Sequence, residues 1–251
     1  MSRMAGTTPP LVVIPARYSS SRFPGKPLAD LAGISVLRRC YEQVRRVMPV
    51  EQIVVATDDD RIAAECRSHG IRFEITSTNC LTGTDRVAEV ARRRDSEWYV
   101  NVQGDEPFLD PAGLTGIMTA ITTAPKDCGV VNAFAPISSE DDFRNSSIPK
   151  VVVAADGNLL YISRAAIPTT KSLGFAWAKR QIGLYAFRAD ALQAFALFGR
   201  KTPAEELEDI EILRFLELGY RVHMIEVAGN GIAIDTPEDL ERARKLLTSS
   251  T

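Results

Sequence analysis

Apolar positions in the first hundred residues alternate between two rhythms. Leu11 to Ile14 and Ile53 to Ala56 are short, largely β-branched runs, Ile71 to Ile75 and Trp98 to Val102 supply two more, and all four predict strands. Between them, Val36, Leu37, Cys40, Tyr41, Val44 and Val47 recur at helical spacing. Ile62, Ala63 and Cys66 do so again, with Asp58 or Asp59 as cap and Gly70 as stop, and a third helix is expected over Arg86 to Arg94. Four such units in succession predict an α/β protein with a doubly wound, mostly parallel, Rossmann-like sheet.

The pattern changes in the second half. Val130 to Ile137 reads as a strand, and Lys150 to Ala154 and Leu159 to Ser163 flank Asp156-Gly157, a strong hairpin signal. Taken alone, that hairpin is an antiparallel edge of the sheet. Leu207, Ile210, Leu213, Phe215 and Leu216 mark one helix stopped by Gly219, and a strand over Arg221 to Val227 follows. Ile232 to Asp235 then leads to Thr236 as cap and Pro237 as the first helical residue.

Composition narrows the class. With 251 residues, 45% hydrophobic and 25% charged, the chain can bury a full core without staples. A net charge of -2 leaves no basic excess for a general nucleic-acid binder, so any basic site is local. Cys40, Cys66, Cys80 and Cys128 form no C-x-x-C pair and suggest neither zinc nor a disulfide framework. The first ten residues carry no apolar leader and no stretch approaches the roughly 18 apolar residues of a membrane span, so a cytoplasmic location is expected.

Candidate chemistry gathers where strands end. After Leu11 to Ile14, Pro15 closes the ladder and a loop carries Arg17, Arg22 and Lys26. It has neither a Walker A nor a G-x-G-x-x-G pattern, and a solvated rim is the bland reading. Cations this crowded repel one another unless a polyanion sits among them, and ligands of open α/β sheets bind beyond the carboxyl ends of strands, so the loop is read as phosphate-binding. In Thr82-Gly83-Thr84-Asp85-Arg86 either threonine can cap a helix, whereas Arg86 opposes the helix dipole and calls for an anionic or carbonyl partner. Gln103-Gly104-Asp105-Glu106-Pro107 ends another strand. It is either a turn or a carboxylate presented to a hard cation such as Mg²⁺, with Gly104 permitting close backbone approach.

These segments resemble one family. V-I-P-A-R-Y-x-S-x-R-x-P-G-K-P-L from Val13, T-G-T-D-R at 82–86, N-V-Q-G-D-E-P at 101–107, Y-x-S-R-x-x-I-P at 161–168 and D-T-P-E-D-L at 235–240 are similar, in order, to 3-deoxy-manno-octulosonate cytidylyltransferase, the CMP-Kdo synthetase family. The resemblance implies a nucleotidyltransferase that couples CTP to a 3-deoxy-2-ulosonic acid, for lipopolysaccharide or capsule polysaccharide, with release of pyrophosphate. It implies that Arg17, Ser20, Arg22 and Lys26 hold the triphosphate, with Thr84 and Arg86 near the cytosine. Asp105 and Asp235 would bind Mg²⁺, and Arg17, Lys26, Asp105 and Asp235 would carry catalysis. Gln103, Arg164, Gln181, Tyr185, Glu208 and Glu211 would line the sugar pocket, Arg164 facing the sugar carboxylate. The family pattern also implies a single cytidylyltransferase domain over 1–251, with a dimerisation and sugar-binding insertion around 137–185 whose β-hairpin is the arm of a homodimer.

Two positions depart from the pattern. Gln181 stands where the family has a histidine, and Ile212 where it has a glutamine. Both belong to the sugar side, so a differently decorated acid, including another nonulosonic sugar, becomes an alternative to Kdo. A non-catalytic CTP-binding regulator would keep the first loop but would not need both Asp105 and Asp235. With only His69 and His223 in the chain, and neither in a motif, a metal rather than a histidine base is expected to prepare the hydroxyl.

Overall fold

The structure is a computed structural model, and it describes residues 8–249 other than Ser21, Asn230 and Ile232. Leu109–Gly231 forms one compact unit, and the residues before and after it form another.

The first unit is built on β1 (Leu11–Pro15), the short pair β2 (Asp30–Leu31) and β3 (Ile34–Ser35), α1 (Val36–Arg45), β4 (Ile53–Thr57), α2 (Asp60–Ser68), β5 (Phe73–Ile75), α3 (Gly83–Ala91) and β6 (Trp98–Val102), closed by the helix Pro237–Ser249. β6, β1, β4 and β5 lie side by side in that order, all parallel, with Val13 opposite Val54 on one edge and Asn101 on the other. Every residue of β1, β4 and β6 is buried, which is why they read as mostly apolar runs rather than alternating ones, with Thr57 and Asn101 as buried polar exceptions. Leu31, Val36 and Cys40 pack against Ile234, Leu240 and Ala243, so the closing helix is sealed to the start of the chain.

Local chemistry sets the helix starts. Ser35 caps α1 through the Arg38 N–H, Asp59 caps α2 through Arg61, and Thr82 caps α3 with Asp85 closing a reciprocal box. α3 therefore begins at Gly83, three residues before the expected Arg86. β5 begins at Phe73 rather than Ile71, because the Ile71 N–H closes the end of α2 on the Cys66 carbonyl at 2.9 Å.

The second unit contains α4 (Pro111–Thr123), β7 (Cys128–Ile137), α5 (Glu140–Arg144), β8 (Lys150–Val153), β9 (Leu159–Ser163), β10 (Ala178–Arg188), α6 (Ala189–Phe198), α7 (Pro203–Glu208), α8 (Ile212–Glu217) and β11 (Arg221–Glu226). β11 runs parallel to β7, and β10 pairs antiparallel with both β7 and β8. The expected hairpin forms between β8 and β9. Its turn is tied to β11, where the Met224 N–H donates to the Gly157 carbonyl at 2.8 Å, and β8 is an antiparallel neighbour of β10. The single helix read through Leu207 to Leu216 is two, because Asp209 adopts a left-handed conformation (φ 52°) that ends α7.

β10 carries a bulge against β7 between Ile182 and Tyr185. A bulge leaves carbonyls outside the ladder, and the buried side chain of Asn132 donates to two of them, Ile182 and Leu184, at 3.0 Å each. Nearby, Tyr185, Phe187, Phe215 and Phe195 stack in sequence with centroids 4.8–5.8 Å apart. No helix among the described residues is long and apolar enough to cross a membrane.

Candidate active site

The loops beyond the carboxyl ends of β1 and β6 carry Arg17, Arg22, Lys26 and Asp105. Beyond β1, Arg17 and Arg22 are exposed, while Ser20 accepts a hydrogen bond from the Phe23 N–H at 3.4 Å. The loop folds back at Gly25, whose φ of 75° suits glycine and whose N–H returns to the Tyr18 carbonyl at 2.9 Å. A side chain there would strike the Tyr18 ring. This turn delivers Lys26 to the start of a short 3₁₀ helix, Lys26–Leu28, anchored by buried Pro27.

Lys26 meets both candidate metal ligands. Its Nζ donates to Asp105 Oδ2 and, at 3.0 Å, to Asp235 Oδ1, and the Arg22 guanidinium lies 3.1 Å from the same Asp235 oxygen. Burial pulls the Lys26 ammonium toward its neutral form, but the attraction of the two carboxylates outweighs burial and leaves its pKa above the ordinary lysine value. Four residues drawn from three separate segments thus form one charge cluster.

The backbone holds the two acids in place. Gly104 sits where an added Cβ would lie 2.8 Å from the Pro15 carbonyl oxygen, so only glycine lets the loop after β6 pass so close to β1. The Ile234 N–H donates to the Asp105 carbonyl at 2.8 Å, fastening the Asp235 segment to the Asp105 loop. Asp239 accepts from the N–H groups of Asp235 and Thr236, and its own N–H reaches Thr236 Oγ1.

Thr84 and Arg86 are buried. The Arg86 guanidinium bonds Asp58 at 3.0 Å, just beyond β4, and also reaches Thr76, just beyond β5. Asp58 is the anionic partner that an arginine near the start of a helix requires. Gln103 lies against Gly83, where an added Cβ would stand 3.7 Å from Gln103 Oε1.

In the second unit Arg164 is a clamp. It donates to the carbonyls of Glu208 (2.5 Å), Asp209 (3.1 Å) and Ser146 (3.1 Å), using three of its five N–H groups. The Glu208 carboxylate accepts from Ser163 Oγ at 2.5 Å and from the Arg164 backbone N–H at 2.9 Å. Lys150, fully buried, donates to the Asn145 and Arg164 carbonyls, and burial lowers its pKa. Gln181 Nε2 donates to Asn132 Oδ1 at 3.0 Å, which attaches it to the bulge that also carries Tyr185. Glu211 immediately precedes α8. Ile212 is a core residue at 1% exposure, so the expectation that its side chain faces a sugar hydroxyl does not hold.

Burial keeps the thiols protonated. Burial pushes Cys66 up to about 12 and Cys80 up to about 11, and it raises Cys40 and Cys128 as well.

A family model for cytidylyltransferases matches residues 11–225. A 3-deoxy-manno-octulosonate cytidylyltransferase of Geobacter metallireducens is 39% identical over 248 residues, which span 94% of this chain and 96% of that protein. Its counterpart in Geobacter sulfurreducens is 41% identical over 247 residues, spanning 94% and 98%. The chain belongs to the 3-deoxy-manno-octulosonate cytidylyltransferase family. A solved CMP:2-keto-3-deoxy-manno-octonic acid synthetase complexed with CTP matches with a TM-score of 0.90 at 34% identity, covering 96% of this chain and 99% of that one. A 4-diphosphocytidyl-2C-methyl-D-erythritol synthase from Anaerococcus prevotii, at 17% identity and a TM-score of 0.63 over 95% and 96% of the two chains, shares the fold alone.

For this cytidylyltransferase family member, several supporting residues are visible only in three dimensions. Asp58 holds Arg86, Asn132 holds Gln181, and Lys150 and Ser146 hold Arg164. Only Asp239 left a local sequence signal, an acid three residues after the capping Thr236. The hairpin and the segment after it leave Leu160, Tyr161, Leu173 and Trp177 exposed.

Proposed function

We propose that this nucleotidyltransferase couples CTP to 3-deoxy-manno-octulosonate, giving the CMP-sugar and pyrophosphate. The observation that carries this reading is the convergence of Lys26, Arg22, Asp105 and Asp235 in a chain about 40% identical, over nearly its whole length, to proteins of that name. The anomeric hydroxyl oxygen would form a bond to the α-phosphorus as the bond to the bridging oxygen breaks, pyrophosphate would leave with that electron pair, and the hydroxyl proton would pass to solvent. Arg17, Ser20, Arg22 and Lys26 would hold the triphosphate, because charge neutralisation and alignment supply most of the catalysis in such displacements.

Asp105 and Asp235 fit a magnesium site by their chemistry. Both present carboxylate oxygens to one cation, and no cluster of three or more His, Cys, Asp or Glu suited to a metal occurs among the described residues. Two oxygen ligands suit a hard ion that keeps several waters and takes its remaining ligands from phosphate. When bound, Mg²⁺ would stabilise charge on the attacking and leaving oxygens.

Arg86 would support the cytosine end through Asp58 and Thr76, beside Thr84 and Gln103. Gln181, Tyr185, Glu208 and Glu211 would serve the sugar, with Arg164 fixing the segments that carry Ser146 and Glu208. A reducing cytoplasm suits a CTP-consuming enzyme with free cysteines. A homodimer would cover Leu160, Tyr161, Leu173 and Trp177.

Pyrophosphate release with CTP, Mg²⁺ and a panel of 2-keto sugar acids tests the reading. Release is expected with Kdo and CTP, and much less with ATP or a sialic acid. No release with any 3-deoxy-2-ulosonic acid would end it.

A further inference from the structure

Lys26 stands at the point where the carboxylates of Asp105 and Asp235 converge, its side chain only 12% exposed. Arg22 shares the Asp235 Oδ1 atom with it, so two cations face two anions and the cluster is formally neutral. A divalent ion coordinated at about 2.1 Å by these carboxylates cannot coexist with an ammonium group on the same oxygens, since the two cations would repel at close range. Metal and Lys26 compete for one place. The same Lys26 and Arg22 lie on the loop assigned to the triphosphate.

We propose that Lys26 is a placeholder cation, which holds Asp105 and Asp235 together in the free protein and leaves them when a nucleoside triphosphate arrives, so that the metal site opens only with nucleotide bound. This rests on the assignment of Asp105 and Asp235 as metal ligands. The incoming triphosphate offers Lys26 and Arg22 several negative charges, and their departure exposes two carboxylates to a metal that the phosphate oxygens also ligate. Rotation about the lysine stem suffices, and its backbone is fixed by Gly25 and buried Pro27. Because binding linkage is reciprocal, metal strengthens triphosphate binding by the same factor.

Mn²⁺ titrated into the full-length protein, with free ion followed by electron paramagnetic resonance, reads the coupling without turnover. The Asp105→Asn/Asp235→Asn double variant gives the level of Mn²⁺ carried by CTP alone. The wild type is expected to bind Mn²⁺ at least about tenfold more tightly with CTP than without it, a coupling of about 1.4 kcal/mol. Lys26→Met is expected to bind Mn²⁺ without CTP at least about tenfold more tightly than wild type, and to lose most of the enhancement. Equal Mn²⁺ affinity of the wild type with and without CTP overturns the proposal whatever the variant does. A folded Lys26→Met protein that binds Mn²⁺ no better than wild type also overturns it. Failure of the wild type to bind Mn²⁺ even with CTP overturns the metal assignment itself, and the proposal with it.

Discussion

The Asp239 carboxylate accepts hydrogen bonds from the backbone N–H of Asp235 at 3.1 Å and of Thr236 at 2.9 Å, so an acid in the first turn of the final helix also fixes a candidate metal ligand. Burial raises the pKa of Asp239, but hydrogen bonds from Arg242 and from these N–H groups outweigh burial and leave it below the ordinary value. A depressed carboxylate stabilises the fold above the unfolded pKa of about 4, and that contribution is lost as pH falls through the folded pKa. Asp239→Ala is therefore expected to cost about 1 to 2 kcal/mol at pH 7 in urea unfolding, with the gap to wild type closing toward pH 3. A gap independent of pH would remove the charge from this explanation.

Gly104→Ala places a methyl group 2.8 Å from the Pro15 carbonyl, and backbone cannot rotate aside as a side chain would. The variant is expected to lose about 1 to 3 kcal/mol and, since Asp105 must shift with its neighbour, to lower kcat more than it raises KM for CTP. Unchanged melting and kinetics would show that the two strand ends separate freely.

Asp105→Asn and Asp235→Asn keep each side chain's shape but remove one anion apiece from the cluster. Turnover is expected to fall at least about a hundredfold in each, while CTP binding, measured by calorimetry, persists in part. Near-wild-type turnover in both would refute the metal reading.

Arg22 and Lys26 should differ in what they contribute. The Arg22 side chain is 61% exposed and its ion pair with Asp235 contributes little to stability, so Arg22→Ala is expected to leave the melting temperature within about a degree and to weaken CTP binding about tenfold or more. If CTP affinity is unchanged, the exposed cations of this loop are a solvated rim.

Deep in the second unit, Glu205 and Arg214 form a buried bidentate pair at 2.6 Å through both oxygens, with the guanidinium 3.6 Å above the Phe195 ring. Glu205→Ala leaves a buried cation short of its carboxylate and is expected to cost about 3 to 5 kcal/mol. Combining it with Arg214→Met should recover much of that loss, and a strictly additive double variant would contradict the coupling.

What the sequence revealed follows from how local each cause is. β1, β4 and β6 were legible because strands buried on both faces are largely apolar, and Thr82 and Thr236 because capping is settled within one helical turn. Lys26 and Asp105 were legible as types in loops that follow strands, and Asp235 through the family's D-T-P-E-D-L pattern, whereas their shared contact joins positions more than 70 residues apart and only the fold creates it. The division of α7 from α8 escaped because the apolar spacing runs on through Asp209, a non-glycine residue that adopts a left-handed φ. Ile212 looked like a ligand-facing departure because its neighbours in sequence belong to a motif, but the helix turns it into the core.

The bulge in β10 has a metric effect as well. Gln181 lies opposite Phe134 and Tyr185 opposite Asn132, so four residues of chain advance only two positions along β7. At roughly 3.4 Å per strand residue, the two side chains are drawn from about 14 Å apart along the strand to about 7 Å, within the span of a single hexose-sized ring. The two residues swallowed by the bulge are an even number, so both side chains keep to one face of the sheet. A one-residue deletion between them would throw Tyr185 to the opposite face, while a two-residue deletion would keep the face and straighten the strand.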